Sequence, residues 1–452
     1  MKQLFILLFL FSSVSLFAQQ RDSRVREYLP PTRIVWQQES QLIQGADHLL
    51  LPGNGQSDLA NRSICRLTST DRQHPAILFD FGKELQGGLQ IVTGMPSSHE
   101  PITVRIRFGE SVSEAMCDID GANGATNDHA MRDFTIRLPW LGVMEVGNSG
   151  FRVVRIDPLD SVELQLKEVR AISTFRDIPY KGSFRCNDER LNDIWQTGAY
   201  TVHLNMQEYL WDGIKRDRLV WVGDLHPEVM AVNTVFGYNE VVPKSLDLIR
   251  DITPLPGWMN GMCSYSIWWV LIQRDWYYYQ GDLAYLKEQR DYLTGLLRLL
   301  ISKVGEDGVE KLDGGGRFLD WPSSENPVAI DAGLQALMLQ AMKAGGELCK
   351  VLGEDALAAE CDVVRNRMTK AASKVIKPFL KSGVAPDAPG SKQAASLLAL
   401  AGLMKPEEAD RKYLAVNGGH GFSTFYGYYM LRAMAAAGNY QGAIDVIRQF
   451  LG

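Results

Sequence analysis

The sequence is poor in the features that would tie a chemistry to a cofactor or a charged polymer. Its six cysteines, Cys65, Cys117, Cys186, Cys263, Cys349 and Cys361, contain no C-x-x-C pair, so neither a zinc knot nor a dithiol redox motif is written here. The seven histidines never form H-x-x-x-H or H-E-x-x-H, which leaves a dedicated metal site without support. No G-x-S-x-G occurs, and Gly314-Gly315-Gly316 is not followed by Lys-Ser or Lys-Thr. A nucleophile elbow and a phosphate loop are thereby excluded, and no cofactor is expected. There is no basic excess either: 47 Lys and Arg stand against 53 Asp and Glu, for a net charge of -6. Nucleic acid and anionic membrane surfaces are therefore poor partners. Beyond the N-terminus no apolar run reaches the ~20 residues a membrane span requires.

What is present begins with an exported end. Lys2 precedes an apolar run from Leu4 to Leu10, a softer stretch to Phe17, and Ala18 before Gln19-Gln20. This predicts a cleaved signal peptide over residues 1–18 and a secreted or periplasmic protein. The remaining length suits two domains. Residues 19–179 predict a β-sandwich, because short runs alternate apolar and polar positions, most clearly at Ile102, Val104, Ile106 and Phe108. The segment before residue 75 has weaker periodicity and reads as a mixed lead-in. From residue 180 to 452 the period is helical, with candidates at 189–207, 225–236, 242–251, 263–280, 283–303, 328–352, 354–378, 391–403, 423–437 and 440–450. Turns such as Gly281-Asp282 and Gly438-Asn439 make consecutive helices hairpins, and a toroid is their natural closed form. The stripe Ala443, Ile444, Ile447 and Leu451 on the last candidate requires a partner.

Eight of the ten tryptophans lie between Trp195 and Trp321. Trp268, Trp269 and Trp276, at helical spacing, read first as core, whereas aromatic faces elsewhere can meet the C–H faces of a sugar. The sharper signal is W-D-G-I-K-R-D-R-L-V-W-V-G-D from Trp211 to Asp224, where Asp212, Asp217 and Asp224 stand among two tryptophans and three bases. A solvated charged loop is the plain reading. The chemical one is glycosidic cleavage, in which a carboxyl of raised pKa acts as acid beside ionised neighbours. If the segment is helical, Asp217 and Asp224 share a face. Asp320-Trp321 repeats the pairing of carboxylate and aromatic, and His420 reads as a loop residue within reach of a sugar at most.

These segments resemble the bacterial α-L-rhamnosidases that place a six-hairpin (α/α)6 barrel behind a β-sandwich. The likeness runs through Leu78 to Gly82, Arg107 to Glu110, Gly182 to Asn192, and above all Asp212, Asp217-Arg218-Leu219 and Trp221-Val222-Gly223-Asp224. It implies that Asp217 is the general acid, that Asp212 and Asp224 bind rhamnose hydroxyls, that Trp221 packs on the sugar's apolar edge, and that Asp320 and Trp321 line the same pocket. The implied reaction is inverting hydrolysis of terminal α-L-rhamnosyl linkages in a glycan or glycoside. Two departures from the family pattern stand out: Asp217 occupies a position usually held by Glu, and no T-x-x-W-E-like segment supplies the second catalytic carboxylate. With ten helix candidates in place of twelve, the toroid is expected to be incomplete. Rival readings are a non-catalytic glycan-binding relative and a six-hairpin glycosidase or lyase acting on another sugar.

Overall fold

The computed structural model describes residues 22–59, 62–96, 98–119 and 126–451. The expected signal peptide lies outside the described residues.

Nine strands form the first domain: β1 (Arg24–Leu29), β2 (Arg33–Gln38), β3 (Ile43–Gln44), β4 (Cys65–Thr68), β5 (Ala76–Thr93), β6 (Ile102–Gly109), β7 (Asp133–Leu138), β8 (Val143–Pro158) and β9 (Glu163–Arg176), with the short helix α1 (Val112–Met116) after β6. All pairings are antiparallel, in the order β3-β4-β9-β5-β8-β6-β7, with β1 added to β9 and β2 to β5. The alternation in β6 is as expected, with Ile102, Val104 and Ile106 buried. Strand β5 runs unbroken through Ala76–Thr93, because the register shifts near Asp80 and Gly87 bend it without ending it. Bent strands of this length fold the sheet over a large apolar cluster that includes Phe79, Leu89, Ile106, Phe108 and Ile156, while Leu78 and Val153 pack with Ala115 of α1 in a smaller one. The lead-in is more regular than its sequence suggests, since β1, β2 and β4 find their partners in β9 and β5 far along the chain.

The second domain contains α2 (Glu189–Asn205), α3 (Val222–Val235), α4 (Val241–Asp251), α5 (Cys263–Gln280), α6 (Leu283–Glu288), α7 (Arg290–Ser302), α8 (Pro327–Leu352), α9 (Asp355–Ala371), α10 (Ser373–Lys381), α11 (Ser391–Leu400), α12 (Pro406–Ala409), α13 (Thr424–Ala436) and α14 (Tyr440–Leu451). Helices α3, α5, α8, α11 and α13 pack in succession and α13 returns to α3. They line the axis, and Trp268, Trp269 and Trp276 on α5 are core as the plain reading held. Among the described residues five helices line the axis, one fewer than six hairpins would supply.

The expected helix 283–303 breaks at Gln289, whose fully buried amide donates to Asp247 (2.9 Å) and accepts from Arg250 (2.7 Å). The expected helix 354–378 breaks at Ala372, beyond which α10 turns Phe379 to stack on Tyr413 at 5.2 Å. Helix α14 rests on α13 and α2, burying Ala443 and Val446 while Phe450 and Leu451 stay exposed. Arg448 ties its end to Asp188 at 2.7 Å, just ahead of α2.

The two domains are locked at the end of β9. The Arg176 guanidinium donates to the carbonyls of Met206 (3.1 Å) and Gln207 (2.7 Å), and the buried Gln207 amide returns to Thr174 O at 3.0 Å. No helix among the described residues is long and apolar enough to cross a membrane.

Candidate active site

The acidic segment is a loop closed on itself and then a helix start. Asp212 N donates to Leu219 O at 3.1 Å, and Leu219 N donates back to the Asp212 carboxylate at 2.9 Å. This pins both ends of the loop and aims Asp212 inward. Helix α3 begins at Val222, where Asn260 takes the place of a capping side chain: its oxygen accepts from Val222 N and its amide donates to Val220 O, both at 3.1 Å. Gly223 allows close packing, since a Cβ there would lie 2.5 Å from the Tyr265 ring.

The condition under which Asp217 and Asp224 would share a helix face is not met, because α3 takes in Asp224 but not Asp217. Asp217 precedes α3 and stands with Arg218 at positive φ, 55° and 53°, a conformation that non-glycine residues hold only when their surroundings impose it. Those surroundings come from the sandwich: Arg218 donates to Asn148 O at 2.9 Å, and His129 Nδ1 stands 2.8 Å from Asp217 Oδ1. The other Asp217 oxygen accepts from Trp221 Nε1 at 3.2 Å.

Asp212, Asp224, Asp320 and Trp321 line one cavity of about 700 Å³. Asp217 and Trp221 do not line it; they flank it, with Trp221 set edge-on to Tyr265, a wall residue, at 6.1 Å. Trp321 is 77% exposed and packs edge-on against Phe318 at 5.1 Å, so it is a rim platform and not a buried helix-terminal Trp. Asp320 is buried and fully engaged: it accepts from Ser323 N (3.0 Å), Gln393 (2.9 Å) and Ser423 (2.5 Å). Its role is to fix the two wall loops. His420 is exposed, 3.3 Å from Asp387, and lies off the cavity wall.

Sequence reading missed Glu228, which lies one turn beyond Asp224 on α3 and lines the same cavity. One oxygen has only Asn205 at 3.4 Å, and the other is buried without a partner. The spacing of four residues from Asp224 was the available signal, masked by Pro227, which reads as a helix start. Electrostatics follow from enclosure. Burial, then the neighbouring Asp212 charge, pushes Asp224 up to about 6. Burial is also the main cause that brings Asp212 to about 6. Glu228 is raised well above the usual range by burial and by both aspartates. The wall thus combines two carboxyls raised to about 6 with a third that burial and both aspartates raise well above the usual range. Among the described residues no group of three or more His, Cys, Asp or Glu is arranged to hold a metal.

Residues 179–417 match the family described as bacterial alpha-L-rhamnosidase 6 hairpin glycosidase domain. No curated protein matches the sequence. Among solved structures, the GH78 family rhamnosidase of Bacillus sp. GL1 superposes with a TM-score of 0.71 at 19% identity, covering 90% of this chain and 43% of its own. A Klebsiella oxytoca rhamnosidase with rhamnose bound gives 0.74 at 18%, covering 96% and 87%. A Streptomyces avermitilis α-L-rhamnosidase complexed with L-rhamnose gives 0.61 at 19%, covering 82% and 36%. The chain therefore spans less than half of the Bacillus and Streptomyces chains, and at these identities the likeness is one of fold.

Proposed function

The chain belongs to the bacterial alpha-L-rhamnosidase six-hairpin glycosidase family, and we propose that it is a secreted or periplasmic glycoside hydrolase that removes terminal α-L-rhamnosyl residues with inversion. The observation that carries this reading is the cavity in which Asp212, Asp224 and Glu228 converge beneath the exposed Trp321. In an inverting hydrolysis one carboxyl protonates the leaving oxygen, while a second takes a proton from the water that attacks the opposite face of the sugar. Asp217, at the cavity's flank and hydrogen-bonded to Trp221, is the acid; no T-x-x-W-E-like segment of this sequence supplies the carboxylate that takes the water's proton, so hydrolysis requires a base beyond the residues named here. Asp212 and Asp224 accept hydrogen bonds from sugar hydroxyls, and the protonated Glu228 donates one, the arrangement an enclosed polyol requires. Trp321 offers its face to the ring's apolar side.

The test is release of the aryl group from an aryl α-L-rhamnoside, with Asp217→Asn in parallel and folding verified by circular dichroism. Turnover abolished in the variant supports the reading, and turnover unaffected by it sinks the acid assignment. A second reading is glycan binding without hydrolysis. It is favoured by one observation, that Asp217 is engaged by His129 and Trp221 and does not line the cavity. Rhamnose binding without turnover would select it.

A further inference from the structure

A second space, of about 940 Å³, opens between the two domains and shares three wall residues, Thr201, Asn205 and Asp212, with the carboxyl cavity. Its size falls in the range of small-molecule sites, roughly 300–1,000 Å³. One side is the sandwich, through Lys83, Glu84, Glu110 and Arg152; the other is α2, through Gln196, Thr197 and Tyr200.

Most of the charge on this wall is already neutralised. Both Asp80 oxygens accept from Arg152, at 2.9 and 3.0 Å, and Glu110 lies 3.4 Å from Lys215, which also pairs with Glu114. Tyr200 donates its hydroxyl to the Glu84 carbonyl at 2.6 Å, and the Lys83 ammonium sits over the Tyr200 ring at 5.2 Å. The Glu84 side chain is left over: its Oε1 is buried with no hydrogen-bond partner. Burial, reinforced by Glu110 and Glu114, brings Glu84 up to about 8, so near neutrality it is largely a protonated carboxyl, both donor and acceptor. An unsatisfied buried polar oxygen is costly, and a ligand hydroxyl would relieve it.

Resting on the rhamnosidase reading, we propose that this interdomain space is a second sugar-binding site, holding the neutral hydroxylated sugar to which the terminal rhamnose is linked. A short-range wall of carboxyl, amide and threonine hydroxyl groups beside the rings of Tyr180 and Tyr200 matches the mixed polar and apolar surface of a pyranose. The shared residues let one disaccharide occupy both spaces. The sandwich domain then contributes directly to substrate choice.

The test is calorimetric titration of the full chain with methyl α-L-rhamnoside and with a panel of sulfur-linked rhamnosyl-glucose disaccharides, which resist hydrolysis. At least one disaccharide is expected to bind about tenfold more tightly than the methyl glycoside. In Glu84→Ala and Lys83→Ala that ratio is expected to fall to between one and three. Binding of the methyl glycoside with no disaccharide advantage, or an advantage that survives both substitutions, overturns this inference alone. No binding of the methyl glycoside overturns the rhamnose reading and this inference with it.

Discussion

Enclosing Asp224 beside Asp212 and Glu228 has a measurable cost at high pH. A carboxyl whose folded value lies above its unfolded one binds its proton more tightly in the folded chain. Its contribution to stability is full below the unfolded value, near 4, and is lost as pH rises through the folded value, near 6. For Asp224 the rise from 3.8 to about 6 corresponds to about 3 kcal/mol at 1.36 kcal/mol per pH unit. Part of that rise is the Asp212 charge, which is counted from both sides, so about 1–3 kcal/mol is assignable to Asp224 alone. Asp224→Asn keeps the shape and removes the ionisation. It is expected to be near neutral at about pH 3.5, below the unfolded value, and to stabilise the helical domain by about 1–3 kcal/mol at about pH 8. With a urea dependence of about 3 kcal/mol per M, the midpoint should rise by about 0.3–1 M. Tryptophan fluorescence during urea unfolding reads this domain, which holds eight of the ten tryptophans, and keeps it apart from the sandwich, whose unfolding need not coincide. The same midpoint change at both pH values, or none at either, would refute the argument that ionisation inside the cavity is what destabilises it.

Other expectations follow from the same geometry. On the proposed function, ionised Asp212 and Asp224 accept from sugar hydroxyls more strongly than their neutral forms do, so kcat/KM on an aryl rhamnoside should fall as pH drops through about 6; a flat acid limb would count against their role. Glu228→Gln replaces a neutral carboxyl by a neutral amide and should retain affinity for methyl α-L-rhamnoside within about threefold, while Glu228→Ala should lose about 1–3 kcal/mol of it by calorimetry. Gly223→Ala should destabilise by about 1–3 kcal/mol in thermal unfolding, because overpacking against Tyr265 outweighs the ~1 kcal/mol of helix propensity gained. His129→Ala should lower kcat about tenfold with little change in KM, since it releases Asp217 without touching the cavity wall.

The elements whose side chains report a simple period were legible in the sequence. Strand β6 shows its buried face at every second residue, and α5 and α8 were placed within a residue of their ends. Long strands were harder, because glycines such as Gly87 look like strand ends yet occupy irregularities that the strand runs through. The break at Gln289 escaped notice because it follows from a tertiary contact with Asp247 and Arg250, invisible in a local pattern. In the site, a dense motif announced Asp212 and Asp224, and the pairing of Asp320 with Trp321 reached the same cavity. The backbone shape at Asp217 and Arg218 was not legible, because positive φ at a residue other than glycine rarely shows in a local pattern. Glu228 went unnoticed because its significance lies in what fails to bond with it.

The contact between His129 and Asp217, with Arg218 anchored on Asn148, has a consequence for how such a chain can vary over time. The boundary that separates the two folds does not separate their histories. An acidic loop held in an unfavourable backbone shape by another domain's carbonyl and imidazole cannot be inherited alone. Exchange of the sandwich for one of equal stability but different contacts would remove the partners that hold Asp217 and Arg218 in this conformation. Drift at residue 129 and at residue 148 of β8 should therefore be coupled to drift at 217 and 218, and a functional module in this protein is the pair of domains together.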